Sequence, residues 1–300
     1  EPTFPEQEFE VEKEILRSEI REDLDSPYTA AFRLFQKTIF AGRPYAHSAQ
    51  GTEETLAGIH LSEARDYYRR RFSSAPLTLG LVGNVDPDRA LAGLSRLVED
   101  LPDGEPFETR NPGPPADTAK GVAVHEPRAT EAECLIQGFH APGFRDPDYA
   151  TWKVLDSITG GSMDSRLFAE IREKLGLVYQ IGSSYPALEW SSFFAISLIS
   201  TRQNHDRILG QLEVEIRKLR EVLPEEEELA RAKTYLKGTF LMSQERNADQ
   251  AHLLARYHSL GLGIDFIDRY PRMLDAVTVE RVREVAEQSL HSPVIAVVGP

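Results

Sequence analysis

The chain has 300 residues, 41% hydrophobic and 27% charged, enough for one large or two medium globular domains. Its net charge is −14 and its longest basic block is Arg69-Arg70-Arg71, which argues against nucleic acid as a partner because phosphate binding needs a concentrated basic footprint. One cysteine, Cys134, excludes an internal disulfide framework, and no window has the length and apolarity of a membrane span.

No signal peptide is visible, and the first residue is Glu1 rather than Met, so an upstream segment is expected to be missing. Cytoplasm and periplasm both stay open as locations. FEVEKEILRSEI reads as the first helix. Glu12 and Glu19, two turns apart, leave it from one face among Phe9, Ile15, Leu16 and Ile20, while Glu10, Lys13, Arg17 and Arg21 take the other side. Carboxylates in an apolar stripe are costly unless a metal, a donor or a catalytic task holds them. The competing reading is a helix tilted so that both acids are wet at the rim of the core.

A helix is predicted from Ile59 to Phe72, then a Ser-Ala-Pro break and a strand, LTLGLVG, ending at Gly83. Asp86-Pro87 reads as an N-cap and first-turn proline ahead of the helix DRALAGLSRLVEDL. The Pro- and Gly-rich stretch TRNPGPPADTAKG marks a boundary. Strands follow at GVAVHE and ECLIQGFH, where Cys134 is expected to be buried and inert. A helix spans Asp148 to Ile158, the Gly160-Gly161-Ser162 break lacks the Lys and Ser/Thr of a phosphate loop, and a second helix, Asp164 to Lys174, ends on a left-handed Gly176. Strands are predicted over Leu177 to Pro186 and Trp190 to Thr201, and charged helices over His205 to Val222 and Pro224 to Gln244. His47 is read as a loop residue, and Glu225 to Glu228 as a solvated helix start. These elements predict an α+β fold, a mostly antiparallel sheet with helices on one face.

The order helix, turn, helix, apolar strand recurs. Ile59 to Val277 and Phe72 to Leu290 are each separated by 218 residues, and Gly42 to Gly261 by 219. Residues 121 to 219 have no counterpart ahead of them, so about a hundred residues of the first repeat are expected to be missing from its front. The predicted organisation is the C-terminal part of a first repeat over 1–108, a linker over 109–120, and a complete second repeat over 121–300. By the same offset Glu12 falls on Arg231 and Glu19 on Gly238.

Four segments carry a family resemblance: EKEILRSE (Glu12 to Glu19), GGSMDSRLF (Gly160 to Phe168), REKLGLVY (Arg172 to Tyr179) and the paired strands ending in Val-Gly. With them the chain resembles the pitrilysin/insulinase family of inverted-zincin metallopeptidases, in its two-repeat, mitochondrial-processing-peptidase-like branch. The resemblance implies duplicated αβ half-domains and a zinc held by H-x-x-E-H in the first repeat, with a later Glu completing the ligands. Glu19 is similar to that metal ligand and Glu12 to the acid supporting the site. In the second repeat, Arg172 and Tyr179 resemble the Arg/Tyr pair that contacts the substrate carbonyl and steadies the oxyanion. Their competing readings are a cation at a helix C-terminus for Arg172 and an aromatic packed on the sheet for Tyr179.

The departure lies in the histidines. The eight of them form no i, i+4 pair, and H-x-x-E-H is absent. The resemblance therefore implies a fragment of a zinc-dependent endopeptidase that cleaves peptides in a two-half chamber. The fragment itself is expected to be inactive and without stoichiometric zinc. The alternative is a non-catalytic partner subunit or scaffold of the same family. Peptide substrates and pairing with a related subunit, as homo- or heterodimer, complete what the resemblance implies.

Overall fold

Local capping chemistry sets the helix starts. The computed structural model describes residues 3–72, 77–99, 101 and 121–300, and the linker expected over 109–120 lies outside the described residues. Helix α1 (Glu6–Asp25) leads into α2 (Pro27–Ile39), where Ser26 Oγ accepts the Thr29 N–H at 3.3 Å and Pro27 takes the first helical position. Short α3 (Glu53–Ala57) and α4 (Leu61–Arg71) follow. Next comes α5 (Pro87–Val98), capped as its Asp-Pro pair predicts: Asp86 Oδ1 accepts the Arg89 N–H at 2.8 Å. Then come β1 (Ala123–Pro127), β2 (Ala132–Pro142) and α6 (Tyr149–Thr159). A π-helix over Phe168–Lys174 occupies most of the helix expected there, and Gly176 behind it has φ +60°. Strands β3 (Gln180–Ser184) and β4 (Ser191–Thr201) precede α7 (His205–Glu221) and α8 (Glu226–Met242). The chain closes with α9 (Asn247–Ser259), α10 (Phe266–Ala276), α11 (Val279–Ser289) and β5 (Val294–Gly299).

The described residues divide into two compact units, each assembled from separated stretches. The first takes Glu1–Glu22, Ala49–Asn111 and Leu241–Ile267; the second takes Asp23–Ser48, Pro112–Phe240 and Asp268–Pro300. The second unit holds a five-stranded sheet in the order β1-β5-β2-β4-β3. Only β1 and β5 run parallel; the other three pairings are antiparallel. The α+β class read from the sequence is therefore the fold observed.

Helices cover both faces of this sheet, not one. On the first face Cys134, Ile136, Phe193 and Ala195 pack with Ala30, Ala31, Phe35 and Ile39 of α2. The fit is close: a Cβ on Gly138 would lie 2.3 Å from Phe35 Cζ. On the opposite face Phe139 stacks toward Phe194 (6.5 Å between centroids), and Trp152 of α6 meets Phe194 at 6.1 Å. β2 is consequently buried on nearly every residue, the pattern of a strand covered on both sides.

In the first unit, the stretch expected as a strand over 77–83 makes no ladder, and no strand is assigned among this unit's described residues. A strand needs a neighbour for its N–H and C=O groups. Here the segment lies on α9 instead: a Cβ on Gly80 would sit 2.3 Å from the Ala251 carbonyl oxygen. The helical part of the repeat is regular. α4 and α11 are both 11 residues long, and α2 and α9 both 13. The glycines two to three residues beyond α2 and α9, Gly42 and Gly261, share a left-handed φ of +73° and +70°.

Candidate active-site residues

Glu12 and Glu19 leave one side of α1, as their spacing requires, and both are exposed. Neither has a hydrogen-bond or ion-pair partner among the described residues. The apolar residues around them are not packed: Val11 and Ile15 are 46% exposed and Leu16 37%, and Ile20 is the helix's buried side chain. The acids thus stand in an open apolar face, where water solvates both charges. The described residues include no group of three or more His, Cys, Asp or Glu side chains placed to hold a metal. Glu19 alone does not seat zinc, which takes four ligands at structural sites and three plus water at catalytic ones.

Arg231 and Gly238, the repeat equivalents of Glu12 and Glu19, lie on α8. Arg231 Nη1 pairs with Glu227 at 3.2 Å, and its Nε lies 3.7 Å from Asp164. It borders a cavity of about 20 Å³, the size of one water, together with Ser165 and Glu228. Beside it Arg166 makes a two-pronged pair to Glu228, Nε to Oε1 at 2.7 Å and Nη2 to Oε2 at 2.5 Å. Where the first half presents free carboxylates, the second is closed by guanidinium–carboxylate pairs.

Arg172 sits in the last turn of the π-helix. Its guanidinium lies 4.7 Å from the Phe168 ring centroid and has no carboxylate partner among the described residues. The π-helix closes on Gly176, whose N–H donates to the Arg172 carbonyl at 3.2 Å, and Leu177 and Val178 then turn inward. Tyr179 follows at the head of β3. Its N–H donates to Ile199 O at 2.9 Å, while the ring is 67% exposed and the hydroxyl unpartnered. A tyrosine packed on the sheet would not show that exposure, so the packing reading of Tyr179 fails. Two accessible donors seven residues apart thus stand on a segment anchored by buried neighbours.

Two polar groups of this unit had no signal in the sequence. Glu133, buried on β2, accepts Arg202 Nη1 at 2.9 Å and pairs with His205 Nδ1 at 2.6 Å, tying the strand to the start of α7. Asp156, on α6, accepts Ser183 Oγ at 2.6 Å and the Tyr185 N–H at 3.2 Å. Burial pushes the Asp156 carboxyl up, against the Ser183 hydrogen bond and the Lys153 charge. Both partners of each acid lie far along the chain, so no local pattern announces them.

Residues 58–236 match the family model described as the peptidase M16 inactive domain. An uncharacterized zinc protease of Rickettsia felis is 29% identical over 258 residues, which is 85% of this chain and 61% of that protein. A second, of Streptomyces coelicolor, is 26% identical over 304 residues, 98% of this chain and 65% of that protein. The chain thus spans less than two thirds of the length of either. The fold is shared with the solved peptidase M16 inactive domain from Pseudomonas fluorescens (TM-score 0.91, 24% identity), covering 100% of this chain and 72% of that one.

Proposed function

Because this chain belongs to the peptidase M16 inactive-domain family, we propose that it is the substrate-side portion of a zinc-dependent endopeptidase. In this reading the H-x-x-E-H helix lies outside these residues, and the chain alone does not cleave peptides. Glu19 contributes one carboxylate to a metal set completed elsewhere, and Glu12 supports it from the same helix face. The repeats we assign, 1–108 and 121–300 with a linker between, are units of sequence; the compact units draw on both.

The observation that supports this most is the pair of unspent donors at Arg172 and Tyr179. A peptide carbonyl placed between them receives a neutral hydroxyl and a charged guanidinium. Both hydrogen bonds strengthen as negative charge builds on that oxygen. The peptide lies extended along the outer edge of β3, which pairs on its other side with β4, and main-chain hydrogen bonds hold it.

In the full-length protein, Tyr179→Phe should lower kcat by about 10² to 10³ with little change in melting temperature, the usual effect of losing one oxyanion donor. Arg172→Ala should cost at least as much and weaken peptide affinity further. Unchanged kcat/KM with a lowered melting temperature in both variants would make them structural. A second reading, a non-catalytic partner subunit of the family, is favoured by the inactive-domain match. It predicts that activity needs a separate zinc-bearing subunit, which mixing experiments would reveal.

A further inference from the structure

A cavity of about 490 Å³ opens between α7 and the sheet of the second unit, away from Arg172 and Tyr179 along the chain. Its size is that of a small-molecule site, which runs from about 300 to 1,000 Å³. Gln137 and Phe139 of β2 and Ile295 of β5 form its floor. Gln137 pairs with Ile295 across the ladder, and Phe139 is two residues on, so all three face the same way. Leu209 and Ile216 of α7 give an apolar wall.

One buried polar atom at this cavity has nothing to bind, and a second polar group lies beside it. Gln137 is 6% exposed, and its amide has no partner among the described residues. Arg220 lines the cavity with its Nε buried and unsatisfied, and it makes no ion pair among the described residues. A buried donor left unpaired is costly, so its persistence points to a ligand that pairs it. Glu213 and Arg217, one turn apart on α7, also border the cavity and cancel in charge, which leaves Arg220 as the excess. An anionic head is thereby matched at Arg220 and an apolar body at Phe139, Leu209, Ile216 and Ile295, while His291 and Ser292 add polar lining on the remaining side.

We propose that this cavity binds a small monoanion with an apolar body, a medium-chain carboxylate being the chemistry that fits. The carboxylate takes the Arg220 guanidinium in a charge-assisted hydrogen bond and receives the Gln137 amide. The chain lies against Phe139, Leu209 and Ile216. This site is independent of the peptidase reading.

The 300-residue chain is titrated with decanoate, decan-1-ol and acetate, followed by calorimetry and by amide chemical shifts of residues on α7 and β2. Decanoate should bind saturably, decan-1-ol at least about tenfold more weakly, and acetate not measurably. Arg220→Gln removes the charge without breaking an ion pair and should weaken decanoate about ten- to hundredfold. Leu209→Trp fills the cavity and should abolish binding, with circular dichroism and melting curves confirming the fold of both variants. Competition with N-acetyl-leucine then tells a peptide terminus from a free acyl chain as the natural source. Equal affinity for decanoate and decan-1-ol, no saturable binding of decanoate, or binding unaltered in both folded variants would each overturn the proposal.

Discussion

Asp156 shows how a single half-buried carboxyl makes stability depend on pH. Its folded pKa lies above the ordinary aspartate value, chiefly because burial penalises the charge. The protonated form is the one that folding favours. The stabilisation is whole below the ordinary aspartate range and is lost as pH rises through the raised value. Asp156→Asn stays neutral while still able to accept the Tyr185 N–H and to meet Ser183 Oγ. The variant's melting temperature should therefore gain on the wild type as pH climbs from about 4 to about 7. Parallel melting curves across that range would show that Asp156 does not titrate above its ordinary value. At this scale the sequence spoke unevenly. Asp86-Pro87 and Gly176 were legible because a cap or a left-handed turn depends on adjacent residues alone. Asp156 and Glu133 were not, since their partners lie 27 and about 70 residues away.

α2 was the least expected element in its packing. The run Cys134-Leu135-Ile136-Gln137-Gly138-Phe139 holds no regular polar alternation and lies in a strand covered on both sides, where helices were expected on one face only. What it does not announce is the cover, because α2 arrives from about a hundred residues upstream. Gly138 tests the arrangement. Gly138→Ala drives a methyl into Phe35 and should cost about 1–3 kcal/mol. Phe35→Ala alone opens a cavity and should cost about 3–5 kcal/mol. The double variant relieves the clash, so its loss should fall well short of the sum, as read by denaturant melts. Additive losses would mean that Phe35 does not lie on Gly138. The segment 77–83 failed for the converse reason: its alternation is that of a strand, but a ladder also needs a neighbour, which single-chain periodicity cannot supply.

Across the whole molecule, the helical repeat was legible because an offset in sequence survives as an offset in structure: α4 and α11 match residue for residue at 218. The acids were legible as a pair and as a puzzle, since Glu12 and Glu19 do share a face. Their surroundings were not legible, because Ile15 and Leu16 are open where an apolar stripe was expected. The described residues hold no set of three metal ligands. After purification and dialysis the chain should thus retain far less than one zinc per molecule, measured by atomic emission. Stoichiometric, tightly held zinc would place the metal site within these residues and overturn the assignment of its other ligands elsewhere.

Helix α2 precedes the linker in sequence yet completes the sheet that follows it, while α9, from the far end of the chain, lies with the segment around Gly80. Each half lends a helix to the other's core. A gene cut between codons 108 and 121 would therefore yield two pieces, each short of one wall. The piece carrying β2 would leave the Ile136–Phe193 side in water, an exposed apolar face that invites aggregation. Made separately, the pieces should precipitate or stay molten; made in one cell, they should find each other and co-purify as a reconstituted whole. A half that melts cooperatively when expressed alone would show that the exchange of helices is dispensable.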